Sequence, residues 1–174
     1  VIALALLLAR AAGAAGAGEP DSLFAQPWQW QDEHAKSVAL DAWRGEPLVV
    51  AVAYTSCRVR CPLTVAKLRK VESAYAAAGK PAQFVLVTLD PANDSAARLA
   101  AYKRARKLPE ANWHLLRGSL EQTRALLAYL NVRALDDGSH IDHDIKIFTF
   151  DGQGKLVRTF EGLGFDPAQA VIEP

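Results

Sequence analysis

The sequence predicts an α/β domain: a central mixed sheet flanked by helices, entered through an N-terminal β-hairpin. Two valine-rich runs, 46–55 (EPLVVAVAYT) and 82–90 (AQFVLVTLD), are continuously apolar rather than alternating, the pattern of strands buried on both faces. Helical stretches separate and follow them. Segment 145–162 (IKIFTFDGQGKLVRTFEG) then alternates on either side of Asp-Gly-Gln-Gly, which predicts an antiparallel hairpin. Strands alternating with helices, closed by a hairpin, make a mixed sheet covered on both faces.

The elements follow in order. Residues 27–45 (PWQWQDEHAKSVALDAWRG) alternate enough for a hairpin with DEHAK as its turn and Gly45 as its close. The first buried strand ends at Thr55 and Ser56. Pro62 suits the first turn of a helix over 62–79 whose Leu63, Val65, Ala66, Leu68 and Val71 fall mostly on one face, with Gly79 as its stop. After the second strand, 91–109 reads as a helix capped by Asp94 or Ser95, 112–118 (NWHLLRG) as a short strand or loop, and 119–132 as a third helix capped by Ser119. No internal repeat marks a second domain.

A chain of 174 residues that is 51% hydrophobic can bury one ordinary core. Lys and Arg total 20 against 19 Asp and Glu, with no run of like charge, so nucleic acid is not an expected partner. Methionine is absent, so Val1 is not expected to be the residue that began synthesis. The apolar run at 1–9 and Ala15-Gly16-Ala17 resemble the end of an export signal with a small-x-small cleavage site. The expectation is a signal-peptide remnant over 1–17, a single domain over 18–174, and an exported protein, periplasmic or membrane-anchored facing the periplasm. Arg10 and the shortness of the run weigh against a membrane span, which needs roughly 20 apolar residues.

The chemistry concentrates in 53–64, AYTSCRVRCPLT, which holds the only two cysteines, Cys57 and Cys61. A disulfide closing so short a loop stabilises by only on the order of 2 kcal/mol. The pair sits between a buried strand and a helix N-terminus, where free N–H groups and the dipole stabilise a thiolate and Arg58 and Arg60 add positive charge. A functional dithiol is therefore the better reading. Three residues between the cysteines, rather than the two usual in thioredoxin-type oxidoreductases, leave room for a metal. No proline lies between Glu110 and Asp166, and GSHIDHDI (138–145) stands where such enzymes place one before the facing strand. A histidine of that segment, His140 or His143, completes a three-ligand set. Two thiolates and an imidazole suit copper or zinc. Structural zinc generally needs a fourth protein ligand and no third cysteine exists; a cupredoxin-like site would use an axial methionine, which this chain lacks. Copper, as Cu(I) or Cu(II), is expected.

These residues resemble the Sco/SenC family of copper proteins involved in cytochrome c oxidase assembly. The resemblance runs from about Trp28 to Gly164 and rests on YTSCRVRCP, VTLDPANDS, WHLLRGS and DHDIKIFTFDGQGKL. It implies a thioredoxin-like fold, copper held by Cys57, Cys61 and His143, and delivery of copper to, or thiol reduction of, an oxidase subunit, with another periplasmic copper chaperone as a further partner. Two departures are Asp144, where the family typically has serine, and the basic Arg58 and Arg60 in the cysteine loop.

Among the remaining candidates, Asp142 could accept the second N–H of a metal-bound imidazole, and Asp90, ending the second strand, could sit near the dithiol or form a turn. His34 and His114 read as structural or surface residues. The expected function is a non-enzymatic copper metallochaperone. The alternative is a thiol-disulfide reductase that keeps oxidase cysteines reduced. A peroxide-reducing enzyme is a weaker third reading, because the proline its pocket requires before Tyr54 is absent.

Overall fold

The computed structural model describes residues 21–173; the expected signal remnant lies outside them. Five strands form the main sheet in the order β5-β4-β3-β8-β9: β3 (Leu48–Ala53), β4 (Gln83–Thr88), β5 (Trp113–Leu116), β8 (Lys146–Phe150) and β9 (Leu156–Glu161). β3, β4 and β5 run parallel, while β8 lies antiparallel to β3 and β9 antiparallel to β8. All six residues of β3 are buried, as a central strand covered on both faces requires.

Helix α1 (Arg60–Ala77) connects β3 to β4, and α2 (Ala96–Ala105) connects β4 to β5. Right-handed crossovers in one direction set both on the same face, consistent with Arg69 of α1 donating to the Arg106 carbonyl beyond α2 at 3.0 Å. The α1 side is filled by Tyr75, set edge-on to Phe84, which stacks on Trp113 at 5.0 Å. Helix α3 (Leu120–Tyr129) packs on the N-terminal segment: the Tyr129 hydroxyl donates to the Asp21 carbonyl, and its ring meets Trp28 edge-on.

Several boundaries differ from the sequence reading. Helix α1 begins at Arg60, with Pro62 in its first turn, and ends at Ala77, with Gly79 at φ +67° two residues beyond. Ser95, not Asp94, caps α2; Ser119 caps α3 in a reciprocal capping box with Gln122. The stretch NWHLLRG carries a true strand, β5. The N-terminal hairpin is present but short, pairing β1 (Trp30–Gln31) with β2 (Ser37–Val38). A second small hairpin, β6 (Ala134–Asp136) with β7 (Ile141–His143), is an addition to the expected elements. No described helix is long and apolar enough to cross a membrane.

Candidate metal centre

The cysteine loop leaves the C-terminal end of β3 and enters α1. Its start is tied down by Asp94, a carboxylate only 1% exposed. Asp94 accepts the main-chain N–H of Thr55 at 3.0 Å and the Thr55 hydroxyl, and also the Thr88 hydroxyl of β4 at 2.5 Å. The loop is thereby fastened to the neighbouring strand. At its other end Val59 offers α1 no side-chain cap, and the Cys57 sulfur fills that role by accepting the Cys61 N–H at 3.3 Å.

Both thiols are free and buried, yet their acidities diverge. Burial pushes Cys57 up, but the N–H of Cys61, the Cys61 thiol and the N–H groups of Val59 and Arg60 outweigh it, leaving Cys57 below an ordinary thiol. Burial dominates at Cys61, which lies deeper and beside Cys57, and pushes it up to about 12. Main-chain donors therefore do most to lower Cys57, rather than the arginine charges expected from sequence. Iodoacetamide at pH 7 should modify Cys57 and spare Cys61, as read by peptide mass; equal labelling would contradict this order.

His143, the last residue of β7, is 5% exposed. Its Nδ1–H donates to the Asp144 carbonyl at 2.8 Å, and its Nε2 is buried with no hydrogen-bond partner. With the proton on Nδ1, Nε2 carries the lone pair. Burial pushes the imidazole below its usual range, and the Arg60 charge adds to this against the opposing bond to Asp144. A neutral imidazole with a buried, unpartnered lone pair is available to a metal. The donor set of Cys57, Cys61 and His143 therefore fits a soft ion. Among the described residues, the three donor atoms that all lie within 4.8 Å of one another belong to Glu33, His34 and Glu110, not to this set.

Tyr54 lies between the two. Its ring is 6.2 Å from those of His143 and His140, and its hydroxyl is 2.9 Å from His140 Nδ1 and 3.3 Å from the Ile141 carbonyl.

Two expected supporting carboxylates take other partners. Asp142 does not hold the imidazole. Alternation along β7 sends it to the opposite face from His143, where it accepts from Arg60 at 2.7 Å; the Asp144 main-chain oxygen takes the role instead. Asp90 forms a turn, accepting from the Asn93 main chain and amide, and the buried carboxylate under the cysteine loop is Asp94. The D-P-x-x-D spacing of residues 90–94 was its only sequence signal. His114 packs at a tilt against the Trp43 ring, 4.4 Å away, and bonds Gln83, while half-exposed His34 pairs with Glu110; neither joins the site.

Known proteins resemble this chain in sequence and in fold. The model of the SCO1/SenC family matches residues 16–173. The SCO1 protein homolog of Bacillus subtilis is 21% identical over 158 residues, spanning 88% of this chain and 82% of the relative. The copper-bound structure of Bradyrhizobium japonicum ScoI superposes with a TM-score of 0.69 at 23% identity, covering 83% of this chain and 93% of that one. The structure of BsSco, described as a member of the Sco family of cytochrome c oxidase assembly proteins with a disulfide switch, gives 0.73 at 21% identity over 87% and 91%. The fold shared with these structures is thioredoxin-like. With the family profile matching residues 16–173, nearly the whole of this sequence, the chain belongs to the SCO1/SenC family.

Proposed function

We propose that this chain is a copper metallochaperone that holds copper through Cys57, Cys61 and His143 and supplies it to the copper-receiving subunit of cytochrome c oxidase. The observation that carries the reading is the buried, unpartnered Nε2 of His143, on a strand that Arg60, between the two cysteines, bonds through Asp142 and the His143 carbonyl. Copper is the cargo and the protein is not an enzyme in this role. Cys57 offers the more acidic thiol, Cys61 gives up its proton as its sulfur takes the ion, and the Asp144 carbonyl keeps His143 in the tautomer whose Nε2 is free. Export is part of this reading: with a leader at 1–17 and a single domain at 18–174, the protein would act outside the cytoplasm, periplasmic or anchored facing the periplasm, where another copper chaperone could load it.

The split acidity of Cys57 and Cys61 favours one further reading, a thiol-disulfide reductase with Cys57 as nucleophile and Cys61 as resolving thiol. His143 separates the two. His143→Ala should leave Cu(I) bound by two thiolates but remove the thiolate-to-Cu(II) absorption band; an unchanged spectrum would transfer the nitrogen ligand to another residue. In cells, deletion should lower oxidase activity mainly at low copper, with rescue by added copper. Rescue by a membrane-permeant thiol and not by copper would favour the reductase.

A further inference from the structure

His140 sits on the turn between β6 and β7. Asp137 accepts the main-chain N–H groups of Ser139 and His140, each at 2.8 Å, and Gly138 takes φ +85°, so the turn is held in one shape. The ring of His140 is exposed, in contrast to that of His143. Beside it opens a groove of about 480 Å³ lined by Ser56, Cys57, Val59, Arg60, Ser139 and His140. Cys57 borders this groove, whereas Cys61, fully buried, and His143 do not. An ion arriving from solvent thus meets Cys57 first, and the nitrogen across the groove from it belongs to His140.

Hydrogen bonding around Tyr54 engages Nδ1 of His140. The Tyr54 hydroxyl lies 2.9 Å from that nitrogen and 3.3 Å from the Ile141 carbonyl, and it accepts the Ile141 N–H at 3.4 Å. When the hydroxyl proton goes to the Ile141 carbonyl, Nδ1–H of His140 donates to the hydroxyl and the lone pair falls on Nε2. Nε2 has no protein hydrogen-bond partner among the described residues. The same tautomer holds at His143, where the Asp144 carbonyl replaces the tyrosine.

Resting on the copper reading above, we propose that Cys57 and His140 form an outer Cu(I) position at the mouth of the groove, through which the ion passes to and from the inner set of Cys57, Cys61 and His143. The ion stays Cu(I) and stays on Cys57 throughout. The bond to His140 Nε2 breaks as bonds to Cys61 Sγ and His143 Nε2 form, and the Cys61 thiol proton leaves to solvent. Unloading reverses these steps. His140 serves passage, and His143 serves retention.

The first measurement needs no metal. Long-range ¹H–¹⁵N spectra of the ¹⁵N-labelled full chain should show His140 and His143 both as Nδ1–H tautomers; His140 found as Nε2–H overturns the proposal whatever copper does. The second follows Cu(I) exchange with a coloured Cu(I) chelator by stopped flow. His140→Ala should slow both loading and removal by about tenfold, equivalent to about 1.4 kcal/mol of barrier, with stoichiometry and equilibrium affinity unchanged. His143→Ala should instead weaken affinity. Wild-type rates in His140→Ala, or a loss of affinity matching the loss of rate, overturns the outer position. Absence of copper binding by the wild-type chain would strike the proposed function itself, a separate outcome.

Discussion

Replacing Cys61 by serine is expected to abolish tight Cu(I) binding, and Cys57→Ser to do the same. The described residues bring no other soft ligand to the site, since these are the only cysteines and methionine is absent from the chain. Loss of an outer partner of a metal ligand already costs about 10–100-fold in affinity, so loss of a thiolate ligand should exceed about 100-fold. The two variants should differ in a second property. Cys57 borders the groove beside His140 and is the thiol that main-chain N–H groups stabilise, so Cys61→Ser should keep a reactive thiol that alkylates at neutral pH, while Cys57→Ser should be nearly inert to alkylation because burial, the largest cause, still pushes the Cys61 thiol up. Competition against a Cu(I) chelator reads the first property and mass spectrometry the second. Stoichiometric, tight Cu(I) in the double variant would place the metal elsewhere.

Oxidation should have the same consequence as substitution. A Cys57–Cys61 disulfide uses both sulfurs that the ion needs, so metal and disulfide exclude one another. The present geometry is that of the reduced pair, with the Cys57 sulfur accepting an N–H from the first turn of α1. Thiolate character and metal affinity share that cause: the donors that favour the Cys57 anion are fixed in place by the helix, and the carboxylate of Asp94 fixes the loop from behind.

What the sequence makes legible follows from interaction range. The buried strands, the helix after the dithiol and the Asp-Gly-Gln-Gly hairpin are visible because each is a local pattern repeated over six or more residues. The cysteine pair is visible because its spacing is chemically unusual, whereas spacing leaves His140 and His143 open and only the family resemblance singles out His143. The β6–β7 hairpin is not, since three-residue strands are too short to display alternation, and its absence from the sequence reading explains the misplacement of Asp142: without a strand there is no reason for neighbours to face opposite sides. Asp94 and Ser95 are equal as caps on local grounds, and only the proximity of Thr55 and Thr88 decides that Asp94 turns inward. Lys103 is a stronger case: no local pattern on α2 marks it as buried, yet it is 1% exposed.

Replacing Lys103 by methionine is expected to destabilise the fold by about 3–5 kcal/mol, the usual cost of breaking a buried ion pair from one side. The Lys103 ammonium donates to the Glu33 carboxylate, to Glu110 at 2.8 Å and to the Trp113 carbonyl at 2.6 Å, so all three of its protons are used. Glu33 is 4% exposed and spends its second oxygen on the Leu115 N–H at 2.9 Å. It comes from the turn of the N-terminal hairpin, Lys103 from α2, and Glu110 from the loop before β5, so one ammonium clamps three segments distant in sequence. Removing it strands the Glu33 carboxylate in a site closed to water, while exposed Glu110 can turn to solvent. At about 2–4 °C per kcal/mol for a domain of this size, melting should fall by about 6–20 °C. Glu33→Gln in the Lys103→Met background should recover much of the loss, because the penalty belongs to the unpaired charge and not to the missing bonds. Copper stoichiometry should be unchanged in both variants below their melting points, since the clamp shares no residue with the cysteine loop or with β7. A Lys103→Met protein that melts within about 2 °C of wild type, a change under about 1 kcal/mol, would refute the clamp. Equal loss in the single and double variants would assign the cost to packing of the lysine stem.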